Sequence, residues 1–207
     1  MVSLYSCQAE RLAIKLFINY SWKGVVKMSR IYLASSWRNP YQPEVLTLLR
    51  GWGHAVYDFR ADSRNSEGPP HTQNDKQPGA TAFKWSDLDP AWQNWTPEAY
   101  RHVIQNSPRA AQGYVSDLRG MEWADTCVLC LPCGNSAHIE AGYMKGLGKR
   151  LIIYWHNDER VTTSKNKETG EVKEWKFEPD LMYLLADNFV VGSEELRACL
   201  RHGAHCD

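Results

Sequence analysis

"TCVLCLPCGNSAHIEAGYMKGLGKRLIIYW", residues 126–155, decides how the chain is read. An apolar run, 126–132, stops at a turn of Pro, Cys, Gly, Asn and Ser. A helix-like segment, 136–147, follows and is closed by Gly146 and Gly148. A second apolar run, 150–155, completes the unit. Short apolar runs bounded by turn residues read as buried strands. Two such strands joined through a helix pair in parallel. Gly134 permits the sharp turn after the first strand, and Asn135 or Ser136 is expected to cap the helix. Glu140 lies about one turn in, where free amides and the helix dipole are expected to keep its carboxylate ionised.

The same alternation extends outward. "RIYLAS" (30–35) is a strand. In "NPYQPEVLTLLRGWGH", Pro43 suits a first helical turn, Val45, Leu48 and Leu49 give an apolar face, and Gly51 and Gly53 end it. "HAVYDF" (54–59) is the next strand. Residues 60–81 read as a long loop, and "FKWSDLDPAWQNWTPEAYRHVI" carries a knot of tryptophans. Thr96-Pro97-Glu98 starts a helix, and 107–125 is another. Residues 157–176 read as a hairpin or loop and "PDLMYLLAD" as a short helix. "NFVVGS" is a last strand, and "SEELRACL" a last helix capped by Ser193. The expectation is a single-domain α/β protein over 28–207. It is a flavodoxin- or Rossmann-like three-layer sandwich with a parallel sheet of about five strands and a Trp-rich insert. Residues 1–27 suit a weak amphipathic leader or, more simply, an N-terminal extension outside the fold.

Lysine plus arginine and aspartate plus glutamate balance at 24 each, which disfavours a general nucleic-acid or membrane-surface binder. No apolar run has the length of a membrane span. The six cysteines do not form a disulfide framework, which points to a reducing, cytoplasmic setting. Cys127, Cys130 and Cys133 have a zinc-like spacing. On a strand, however, side chains three apart face opposite ways, so structural thiols are expected and no metal.

In a parallel sheet, ligands bind beyond the carboxyl ends of the strands. The turn at 133–136 and "LASSW" lie there, with the hydroxyls of Ser35 and Ser36 offering close approach. Tyr32 and Trp37 supply aromatic walls, and Asp117 and Asp125, with Glu140, a carboxylate floor. "ASSWRN" is not G-x-G-x-x-G, no Walker sequence is present and there is no G-x-S-x-G elbow. A dinucleotide oxidoreductase is therefore disfavoured, and no cofactor is expected.

Four stretches together resemble the nucleoside 2-deoxyribosyltransferases and the related nucleoside 5′-monophosphate N-glycosidases. They are "IYLASSW", "DLRGMEWADTCVLCLP", "GNSAHIEAGYMKGLGKRLIIY" and "PDLMYLLADNFV", in order across residues 30–200. The resemblance implies a small-molecule nucleoside or nucleotide as substrate, with Glu140 as nucleophile and Asp117 contacting or protonating the leaving base. It further implies that Tyr32 orients the nucleophile or sugar, and that Asp180 and Met182 reach into a neighbouring subunit's site in a homodimer or larger homo-oligomer. The chain departs from the pattern at Asp180, where the transferases have asparagine. It also lacks the family's glycine run before Glu140, and its insert at 60–105 is longer. Cleavage of the nicotinamide bond of NAD and binding without turnover are the competing expectations.

Overall fold

The computed structural model describes residues 28–61, 82–157, 161–165 and 170–202. The expected extension 1–27, most of the long loop and the terminal His205 and Cys206 fall outside the described residues.

Five strands form one parallel sheet: β1 (Arg30–Ala34), β2 (Ala55–Tyr57), β3 (Thr126–Leu131), β4 (Arg150–Trp155) and β7 (Asn188–Val191). Their spatial order is β2-β1-β3-β4-β7. The chain therefore starts near the middle, moves out to β2, and crosses back past β1 to β3. That reversal leaves a switch point between the carboxyl ends of β1 and β3, where a doubly wound sheet opens a crevice. β5 (Val161–Lys165) and β6 (Val172–Lys176) pair antiparallel as a separate hairpin.

Strand side chains alternate between faces, and both faces are covered. Ile31, Leu33, Val128, Cys130, Ile152 and Tyr154 face one core, shared with Val45 and Leu49 of α1 (Gln42–Gly51) and Leu196, Cys199 and Leu200 of α5 (Gly192–His202). Tyr32, Ala34, Cys127, Leu129 and Ile153 face the other. That core is closed by Met121 of α3 (Pro108–Trp123) and Ala137, Ala141 and Met144 of α4 (Asn135–Gly146). Cys127 and Cys130 thus point to opposite sides of the sheet.

The helix starts follow local chemistry. Thr96 Oγ1 accepts from Ala99 N at the head of α2 (Pro97–Asn106), and Ser107 Oγ accepts from Ala110 N at the head of α3. α5 opens at Gly192, ahead of the expected cap Ser193, and Glu195 accepts from Val191 N at 2.8 Å. The late apolar segment is a short 3-10 turn, Leu181–Leu185.

The tryptophans pack the insert on itself, and Phe83 ties it to the domain. Trp85 packs edge-to-face on Phe83, Trp95 and Tyr100 at 4.9, 5.9 and 5.5 Å. Phe83 lies so close to α3 that a Cβ on Gly113 would be 2.7 Å from its own Cβ. Glycine is required there for close approach. Among the described residues no helix is long and apolar enough to cross a membrane.

Candidate active site

α3 runs back along the sheet, antiparallel to the strands. Asp117 lies six residues before its end, about 9 Å along the axis at 1.5 Å per residue. This carries Asp117 toward the carboxyl edge, although its sequence position precedes β3. α4 leaves that edge, and Glu140 lies in its second turn. The two carboxyl groups come together over Tyr32 of β1 and Tyr57 of β2, which pair in register and stack at 5.3 Å and 11°.

Burial dominates the electrostatics. It pushes the Asp117 carboxyl up to about 7, against a hydrogen bond from Tyr57 Oη at 3.2 Å. Burial and the charge of Asp117 push Glu140 up to about 8, and the Tyr32 hydroxyl works against them. The helix start was expected to keep Glu140 ionised. It does not, because Glu140 sits beyond the first turn, where the dipole fades, and partial burial of the side chain disfavours its charged form. Near neutrality the pair holds one proton between its members. Tyr32 is itself raised by burial, then by Glu140 and Asp117. Its buried hydroxyl has no partner in regular hydrogen-bond geometry, yet lies close enough to Glu140 to favour the carboxylate.

The other sequence candidates divide. Gly134, Asn135 and Ser136 are exposed at the carboxyl end of β3. Gly134 is the N-cap of α4 and no side chain caps it, so neither Asn135 nor Ser136 has the expected role; both lie inside the first turn. Ser35 is buried and its hydroxyl donates to Cys130 O at 3.1 Å, which ties β1 to β3 and leaves only its acceptor lone pairs for other partners. Ser36 Oγ accepts from Arg38 N. Trp37 Nε1 donates to Phe83 O at 3.1 Å, and its ring meets Phe59 and Lys84.

Asp125 does not join the carboxylate floor expected from the sequence: it stands at the amino end of β3, the opposite edge of the sheet. Its carboxylate accepts from Arg30 N at 3.2 Å, Arg30 Nε at 3.3 Å and Thr126 Oγ1 at 3.0 Å. It ties the strand starts together.

A cavity of about 420 Å³ opens beyond β3 and β4. Cys133, His138, Trp155, Phe177, Asp180 and Tyr183 are among its walls, and neither Glu140 nor Asp117 is. His138 and Glu140, two residues apart on α4, face opposite sides of the helix. His138 Nδ1 is 3.0 Å from Gly134 O, which only accepts, so Nδ1 carries the proton and Nε2 meets the Tyr183 hydroxyl at 3.1 Å. This contact fastens the 181–185 turn to α4. Asp180 accepts from Met182 N at the start of that turn, and Met182 is exposed. Tyr57, Ser116, His138 and Tyr183 went unnoticed in the sequence. The register of Tyr57 beside Tyr32 was the one available signal, and it needs the parallel pairing to be read.

No family model and no curated protein matches the chain. Among solved structures it is similar to a 2-deoxyribosyltransferase from the psychrotolerant bacterium Bacillus psychrosaccharolyticus. Identity is 20%, over 62% of this chain and 74% of that one, with a TM-score of 0.31. A likeness of that size does not bear on activity.

Proposed function

We propose that the chain cleaves or transfers at the N-glycosidic bond of a (deoxy)nucleoside or nucleotide through a covalent glycosyl–Glu140 intermediate. The observation that carries this reading is the half-buried pair of Glu140 and Asp117, two carboxyl groups brought together over Tyr32 and Tyr57, with burial raising the pKa of each. The motif order of the sequence supports it. In the productive form Glu140 is ionised and Asp117 protonated. The Glu140 carboxylate bonds to the anomeric carbon as the bond to the base breaks, and Asp117 gives its proton to the departing nitrogen. Water or a second base then attacks the same carbon, Asp117 takes a proton back, and the Glu140 carboxylate is released. Tyr32 orients Glu140. Gly134, Asn135 and Ser136, exposed at the helix start, face the sugar. Asp180 and Met182 serve the site of a second copy.

Glu140→Ala should reduce release of free base at least about a thousandfold, measured by chromatography over a panel of nucleosides, monophosphates and NAD. Full activity in that variant would sink the mechanism. Binding without turnover is the second reading, favoured by a cavity whose described walls contain neither carboxylate. Ligand-induced thermal shifts with no free base from the wild-type chain would decide for it.

A further inference from the structure

Asp117 is not held by its own helix alone. Tyr57 Oη lies 2.9 Å from Ser116 Oγ and donates to Asp117 Oδ1 at 3.2 Å. A phenol has one proton, so with Tyr57 donating to Asp117 the Ser116 hydroxyl donates to Tyr57. The result is a directed chain from Ser116 through Tyr57 to Asp117. Its geometry is built rather than incidental. The Tyr57 ring is fully buried, stacked on Tyr32 on one side and pressed on α3 at Gly120 on the other. A Cβ at Gly120 would stand 2.7 Å from ring carbons of Tyr57, so only glycine lets the phenol reach the helix that carries its acceptor.

We propose that Tyr57, backed by Ser116 and admitted by Gly120, is the positioning residue for Asp117: it occupies Oδ1, leaves Oδ2 for the leaving base, and by donating favours an ionised Asp117 until substrate arrives. The proposal rests on the reading of Asp117 as the group that protonates the base. A phenol donating to a carboxylate favours the ionised form. The groups facing the pair are Tyr32 on β1, Tyr57 on β2, Cys127 on β3 and Cys133 in the following turn. Tyr32, Tyr57, Cys127 and Cys133 are all raised by burial and so remain neutral near pH 7. The Tyr57 bond thus favours an ionised Asp117 in the resting protein, and binding must bring a proton to Asp117 and leave Glu140 ionised before Glu140 can attack.

Tyr57→Phe keeps the ring, the stack and the Gly120 contact and removes only the donor. Carbon NMR of the Asp117 side-chain carboxyl should show a midpoint near 7 in the wild type and a rise of about 0.5–1 pH unit in Tyr57→Phe. Ser116→Ala should move it the same way by less. On nucleoside substrate, Tyr57→Phe should lower kcat about tenfold with little change in KM, because the loss of the Oδ1 anchor outweighs the readier protonation of Asp117, and should move the optimum to higher pH. An unmoved or lowered Asp117 midpoint in a folded Tyr57→Phe variant overturns the proposal. A raised midpoint in a chain that releases no base from any substrate upholds the hydrogen-bond chain and overturns the glycosidic reading instead.

Discussion

At the scale of single residues, the protonation of Glu140 and Asp117 governs both turnover and stability. The productive form has one proton on the pair. Rate should therefore fall below about pH 7, as both become protonated, and above about pH 8, as both ionise. A narrow bell in kcat/KM between these limits is the expected profile, and a rate flat from pH 5 to 9 would contradict the pair. The linkage to stability has a definite sign. Both groups lie above their ordinary values of 3.8 and 4.5, so the folded chain binds protons that the unfolded chain has released. Their contribution is full below about pH 4 and is lost as pH rises through 7 and 8. Asp117→Asn should be more stable than wild type at pH 8.5, on the order of 2 kcal/mol, and the gain should vanish near pH 4. Urea unfolding at the two pH values measures it. None of this was legible from the sequence, since the depth of a carboxyl is a property of packing. Helix position alone gave the opposite expectation for Glu140.

Among the elements, the alignment of α3 with α4 decides whether the pair exists. Lys149, between α4 and β4, reaches back with Nζ to the carbonyls of Met121, Glu122 and Ala124 at 2.5, 2.7 and 2.6 Å. These carbonyls end α3 and have no amide of their own helix to receive. A cation there also complements the helix dipole. One side chain thus pins the helix of Asp117 to the segment following the helix of Glu140. Lys149→Met keeps the stem and should cost about 1–3 kcal/mol in thermal unfolding, with a loss of base release larger than the stability change explains. Lys149→Arg should recover part of both. The elements themselves could be read from the sequence because apolar runs and helical spacing are local signals. Asp117 and Asp125 look alike in the sequence, but a helix that returns along the sheet carries Asp117 away from the strand start, whereas Asp125, just before β3, stays at its amino end. The bond from Ser35 to Cys130 O could not be foreseen, because its acceptor is 95 residues away. Tyr57 was overlooked for the same reason, its serine lying 59 residues on.

For the whole molecule, the open question is whether one copy makes a complete site. The turn that fastens to α4 through Tyr183 and His138 also exposes Leu181, Met182 and Leu184, at 78%, 61% and 82%. Ile139 on the outer side of α4 is exposed to 72%. Isolated apolar residues on a surface are ordinary, but neighbours on one anchored turn are costly to leave in water. Self-association would cover them, and the role proposed for Asp180 and Met182 requires it. Light scattering of the full chain should therefore give at least twice the 23.7 kDa protomer mass. Leu184→Glu should shift it toward the monomer at micromolar concentration, by placing a charge where apolar surface must be buried. Because Leu184 makes no part of either core, that variant should keep the thermal stability of the folded protomer within about 0.5 kcal/mol once association is subtracted. If the wild type is a monomer and still releases base, Asp180 and Met182 lose the role proposed for them, and the site must be complete within one chain.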